Sequence, residues 1–137
     1  MNSPRSWACL VLSGKDLDPD IVTQKLKLKP DYSHKAHKTD AGVEVSGFWQ
    51  LNSTLAETES LENHLMDLLK RLASVRGELK SFLENTDSHF YTSVEHSTVV
   101  TDGVILSPRI MMLLGNLGIK LELHQWSEKK DFQIIQN

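Results

Sequence analysis

Two histidines three residues apart, His34 and His37, are the nearest approach in this sequence to a chemical motif. Imidazoles at that spacing can share one transition-metal ion, but a site needs three or four ligands held in place by outer partners. Asp31 and Asp40 are the only local carboxylates, and Lys35 and Lys38 would set two ammonium groups beside the dication. His34 and His37 are therefore weak metal candidates, and no cofactor is expected. The same segment has a better use. Across Lys25–Lys38 stand five lysines and one acid, with Tyr32 and both histidines among them. Clustered ammonium groups raise the local potential, and a ring among them can stack on a base or a sugar. Lys29, Tyr32, His34, Lys35, His37 and Lys38 are thus the expected binding residues, for an anionic ligand or an acidic protein. No glycine-rich phosphate cradle accompanies them.

The other reactive residue types read as structure. A reactive Cys9 would need a cation or a helix N-terminus beside it, but its neighbours in the strand are Ala8 and Leu10, and it is expected to be a buried, inert thiol. Asp18/Asp20 and Glu57/Glu59 fall where helices start, so capping accounts for them without acid–base chemistry. Trp7 and Trp49 are expected to fill core volume. Trp126, on the same face of its strand as Lys120, Glu122 and His124, is expected to be exposed and to anchor a partner. His64 is expected on the exposed side of its helix, and no Ser–His–Asp set emerges.

These residues need a scaffold, and the chain supplies one of ordinary composition. It has 137 residues, 39% hydrophobic and 24% charged, which fits one soluble α+β domain over residues 1–137. Its net charge of −3 argues against a dedicated nucleic-acid binder. A single cysteine removes disulfide and thiolate-rich metal scaffolds. Apolar runs are too short for a membrane span or a secretory leader, so a cytoplasmic location is expected.

Periodicity places the elements. Trp7–Leu12 is apolar on both faces and predicts a central strand; Asp18-Pro19-Asp20 opens a short helix that Pro30 would stop. Lys29–Gly42 reads as an exposed loop, and Val43–Leu51 alternates as a second strand, bent at Gly47. Leu61, Leu65, Leu68, Leu69 and Leu72 make an amphipathic helix capped by Ser60 and broken at Gly77, followed by a shorter helical piece ending near Asn85. His89–Val100 predicts a third strand with Phe90, Thr92, Val94 and His96 on one side, turned by Thr101-Asp102-Gly103. Ser107-Pro108 starts a helix that Gly118 ends, and Ile119–Trp126 alternates as the last strand. The expected fold is a single-domain α+β sandwich: a four-stranded, mostly antiparallel sheet with helices on one face, a ferredoxin-like variant with extra helices.

The run Leu28-Lys29-Pro30-Asp31, the polar loop, and then Gly47-Phe48-Trp49-Gln50-Leu51-Asn52-Ser53 resembles the bacterial domain-of-unknown-function family 4279. Leu61–Leu69 resembles that family's middle helix, and Leu106-Ser107-Pro108 through Leu117-Gly118-Ile119-Lys120-Leu121-Glu122-Leu123 its closing helix and strand. Trp126 stands where the family's last strand is expected to end in tyrosine. The resemblance supports the fold and carries no activity with it. The functional expectation is a non-enzymatic bacterial binding module that uses the loop 29–38 and the adjoining sheet surface, in one version a toxin-neutralising (immunity-type) protein. The alternative is a small-molecule or metal-binding regulatory domain with Trp49, His34 and His37 at its site.

Overall fold

A strand that is apolar on both faces belongs in the middle of a sheet, with a neighbour on each edge, and Arg5–Gly14 (β1) takes that place. The computed structural model describes residues 4–96 and 103–127. In it β1 is flanked by Gly47–Asn52 (β5) and Asp87–His96 (β6), both antiparallel to it. Tyr32–His34 (β2) pairs antiparallel with β5, and Lys120–Ser127 (β7) pairs parallel with β6, giving the order β2-β5-β1-β6-β7. His37–Lys38 (β3) and Glu44–Val45 (β4) form a separate two-stranded ribbon.

The α+β class is as expected, but the sheet is five-stranded and mixed. Two causes account for the difference. Tyr32–His34 has too few residues to show a period, yet it pairs with β5, so part of the expected loop is an edge strand. The last two long strands are joined by the helix Pro108–Leu117 (α4), and a helical crossover returns the chain in the same direction, which makes the pair parallel. The order β5-β1-β6-β7 with a parallel end pair replaces the ferredoxin-like arrangement.

Helix Pro19–Leu26 (α1) starts as expected, with the Asp18 carboxylate accepting from the Asp20 N–H at 3.0 Å. It ends at Lys27, which turns left-handed (φ 56°) before Pro30 is reached. Ser60 caps Leu61–Leu72 (α2) through the Asn63 N–H at 3.1 Å. The expected break at Gly77 is displaced. A 3-10 turn at Ala73–Val75 separates α2 from Arg76–Leu83 (α3), and Gly77 lies inside α3. Ser107 caps α4, Gly118 closes it at φ 74°, and Glu62 of α2 accepts from the Ser107 N–H at 2.6 Å, tying the two helices. The strand expected to reach Val100, and the turn at 101–102, lie outside the described residues.

One sheet face meets the helices. Ala8, Leu10 and Leu12 of β1, Trp49 and Leu51 of β5, and Phe90 and Val94 of β6 share a core with the buried leucines of α2 and with Leu79, Ile110 and Leu117. Trp49 is fully buried, as expected, its indole N–H donating to Thr23 Oγ1 at 3.0 Å. Gly47 allows Leu17 to cross against the start of β5; a Cβ there would collide with the Leu17 carbonyl. His64 is a correction: it is 1% exposed. It stands three residues after Leu61 and four before Leu68, on the flank of the apolar stripe rather than opposite it.

Candidate functional site

Strand residues alternate between faces, so the odd positions of β1 and β6 and the even positions of β5, β7 and β2 all point away from the helices. On that second face Trp7, Cys9 and Val11 lie between Phe48, Gln50 and Asn52 on one side and Ser93, Tyr91 and His89 on the other. All of these but Ser93 line a hollow of about 580 Å³.

Aromatic contacts extend this hollow to both sheet edges. On the β2 side, His34 stacks on Phe48 (centroids 5.5 Å, planes 11° apart) and Tyr32 meets the same ring edge-on at 5.5 Å. On the β7 side, Tyr91 stacks on His124 at 4.8 Å, and Trp126 follows one pleat on. Trp7 is 37% exposed, Tyr32 57% and Trp126 54%. The expectation that Trp7 fills core is therefore overturned. Both faces of its strand are apolar, so the sequence did not show which one the helices cover.

The charges around these rings are paired within the chain. Arg5 binds Glu95, lies 3.7 Å from Glu57, and stands over the Trp7 ring at 5.5 Å. Lys120 meets Asp87 at 3.1 Å. Glu122 accepts from His124 Nε2 at 2.8 Å and lies 3.9 Å from His89 Nε2; the His124 hydrogen bond holds the Glu122 carboxyl below its ordinary pKa. His89 Nδ1 and Ser93 Oγ are buried without a hydrogen-bond partner.

Cys9 is buried on this face, as expected. Burial, with the Asp31 carboxylate adding, pushes its thiol up to about 11. At the end of the hollow, Ser53 Oγ lies 2.7 Å from His64 Nδ1. The same oxygen accepts from the Leu55 N–H at 3.2 Å, which leaves its hydrogen for the imidazole. Burial lowers the His64 pKa, favouring the neutral ring. A catalytic pair would need an acid to orient that ring. The neighbouring Asp67 is instead held by Thr54 N–H at 2.9 Å, by Thr54 Oγ1 at 3.1 Å and by Arg71 at 3.5 Å. The Ser53–His64 pair thus anchors the 53–55 loop to α2.

The residues expected from sequence divide. Tyr32 and His34 join the aromatic face through Phe48, and Trp126 lies on it at the opposite edge. His37 meets His34 edge-on at 5.8 Å, and both rings donate an Nδ1–H to the Lys35 carbonyl, at 2.9 and 3.3 Å. No third metal-ligating residue gathers with them among the described residues. Lys35 reaches back to Asp20 at 3.2 Å, and that hydrogen bond raises its pKa. Lys29 and Lys38 have no carboxylate partner among the described residues. Phe48, Tyr91, His89 and His124 were not singled out from sequence; the alternation around Trp49 and Phe90 was the signal that placed them together on the other face.

An α+β domain with helices against one sheet face and rings across the other is the class of structure these observations define. Residues 4–128 match the family described as Domain of unknown function (DUF4279), and the chain belongs to that family. No curated protein and no solved structure matches it. No helix among the described residues is long and apolar enough to cross a membrane.

Proposed function

We propose that this protein is a non-catalytic, cytoplasmic binding module that engages another protein through the aromatic face of its sheet, with the connector Lys29–Lys38 completing the contact at the β2 edge. The observation that carries this reading is the line of rings from Tyr32 through Phe48, Trp7 and Tyr91 to Trp126, opposite the core. Exposed Trp and Tyr are the side chains that most often anchor protein interfaces, since they bring large area at low entropic cost. The ion pairs of Arg5 and Lys120 and the His124–Glu122 hydrogen bond surround them as a polar rim surrounds an interface centre. Charges already satisfied within the chain attract a free anion weakly, which favours a protein over a small anionic ligand here.

Size brings in the connector. Four inter-strand spacings and the rise from Trp7 to Ser13 give a face of about 19 by 20 Å, ~400 Å² in projection. A standard interface takes about 800 Å² per partner, so the edge strand and the cations Lys29 and Lys38 beyond it are needed to reach it. Toxin neutralisation is one role this architecture would serve, because it requires only surface complementarity.

Affinity capture with four forms of the protein tests the reading: wild type, Trp7→Ala/Trp126→Ala, Lys29→Glu/Lys38→Glu, and the helix-side Lys80→Glu/Arg109→Glu. A stoichiometric partner retained by wild type and the helix-side variant, lost by the tryptophan variant, and weakened in a salt-dependent way by the connector variant is the expected result. Equal capture by the tryptophan variant rejects the face. Association of wild type with itself, abolished by the same substitutions, makes the occupant a second copy and overturns the hetero-partner reading.

A further inference from the structure

The helices carry a second site that shares no lining residue with the aromatic hollow. Along the nearly continuous helical run 61–83, Met66, Leu69, Lys70, Ala73, Gly77 and Lys80 recur at three- and four-residue steps and so fall on one side. Across from them α4 presents Arg109, Leu113 and Leu117 at the same spacing. Between these walls lies a groove of about 610 Å³.

Its chemistry is uneven in an informative way. Lys70, Arg76, Lys80 and Arg109 line it and no carboxylate does, although the whole chain is acidic. None of the four has an ion-pair partner among the described residues, whereas the cations of the sheet face, Arg5 and Lys120, are paired. Arg109 also stands in the first turn of α4, which contains no acid, so the helix dipole opposes it rather than accounting for it. Beneath the cations the floor is apolar, formed by Met66, Leu69, Leu113 and Leu117. Gly77 leaves it open, since a Cβ there would meet nothing within 4 Å.

We infer that this groove binds a free amphiphilic anion: a single apolar chain or ring system ending in a carboxylate, phosphate or sulfonate group. The apolar part lies along the leucines and the head group takes the cations from both walls. The volume falls in the range of about 300–1,000 Å³ typical of small-molecule sites. A partner helix fits less well, because the α4 wall from Arg109 to Leu117 is only about 12 Å long, roughly two turns.

Sodium dodecanoate below its micellar concentration is the probe, titrated calorimetrically and by amide NMR, with dodecanol and dodecyltrimethylammonium as neutral and cationic counterparts. The expected result is saturable one-to-one binding that shifts the amides of Leu69, Gly77 and Leu113. Dodecanol should bind about tenfold or more weakly, and affinity should fall by a similar factor in Lys80→Glu/Arg109→Glu and in Gly77→Leu, which fills the groove. All three changes are at exposed positions, and cooperative melting at or above the wild-type temperature verifies that the variants fold. Equal binding of the three probes, unchanged affinity in the variants, shifts centred on Trp7 and Tyr91, or no saturable binding by wild type would each overturn the inference.

Discussion

The imidazole of His34 lies flat on the ring of Phe48, centroids 5.5 Å apart and planes within 11° of parallel. This stack joins the basic connector to the sheet, because His34 and Phe48 are also register partners in the β2–β5 pair. Three residues of edge strand have little backbone stability of their own, so the cross-strand rings must hold them. Phe48→Ala is therefore expected to speed amide exchange at Tyr32–His34 strongly while lowering global stability by only about 1–2 kcal/mol, since the ring is half-buried. Hydrogen exchange followed by mass spectrometry reads both effects. Unchanged exchange at Tyr32–His34 would show that the rings do not hold this edge.

Acid sensitivity should trace to His64. Burial lowers its folded-state pKa beneath the ordinary 6.5. The unfolded chain then takes up the proton first as pH falls, so the stabilising contribution is whole above 6.5 and is lost as pH drops through the lowered folded value. Urea melts between neutral pH and about pH 5 should show stability falling, with a shallower slope in His64→Leu. An identical slope in that variant would place the sensitivity elsewhere.

Cys9 should resist thiol reagents while the protein is folded. With its pKa at about 11 instead of 9.0, the thiolate fraction near pH 8 is about a hundredfold smaller than for a free cysteine. Reaction with a chromogenic disulfide is expected to be slow in buffer and fast in urea. Equal rates in the two conditions would contradict the buried placement.

Two glycines should answer alanine in opposite directions. Gly77 is inside α3 in ordinary helical backbone with open space around it, so Gly77→Ala is expected to stabilise by about 0.5–1 kcal/mol. Gly118 closes α4 at φ 74°, so Gly118→Ala should destabilise by about 1 kcal/mol. Denaturant midpoints at constant slope measure both; the same sign at the two sites would refute the assignment of the helix ends.

What could be read from the sequence was whatever repeats along the chain. The leucines of α2, the Ser60 and Ser107 caps and the Gly118 terminator are local signals, and each falls where the sequence places it. Tyr32–His34 was not legible as a strand, because its partners are 14 to 18 residues away and it is too short to alternate visibly. The same limit hid the open face. β1 is apolar on both sides, so Trp7 and Trp49 look alike in sequence, and only the packing of α2 against Leu10 and Leu12 separates the buried indole from the exposed one. His64 was misplaced for a simpler reason: it falls on the flank of the leucine stripe, where Ser53 partners its Nδ1 although Nε2 is buried without a hydrogen bond.

Tryptophan accessibility tests the aromatic face most directly, because the three indoles divide between its two sides. Acrylamide quenching of single-tryptophan variants, free and with the captured partner, is expected to find Trp7 and Trp126 accessible in the free protein and shielded in the complex, with Trp49 protected in both. A saturating partner that leaves Trp7 and Trp126 as quenchable as before would contradict the account.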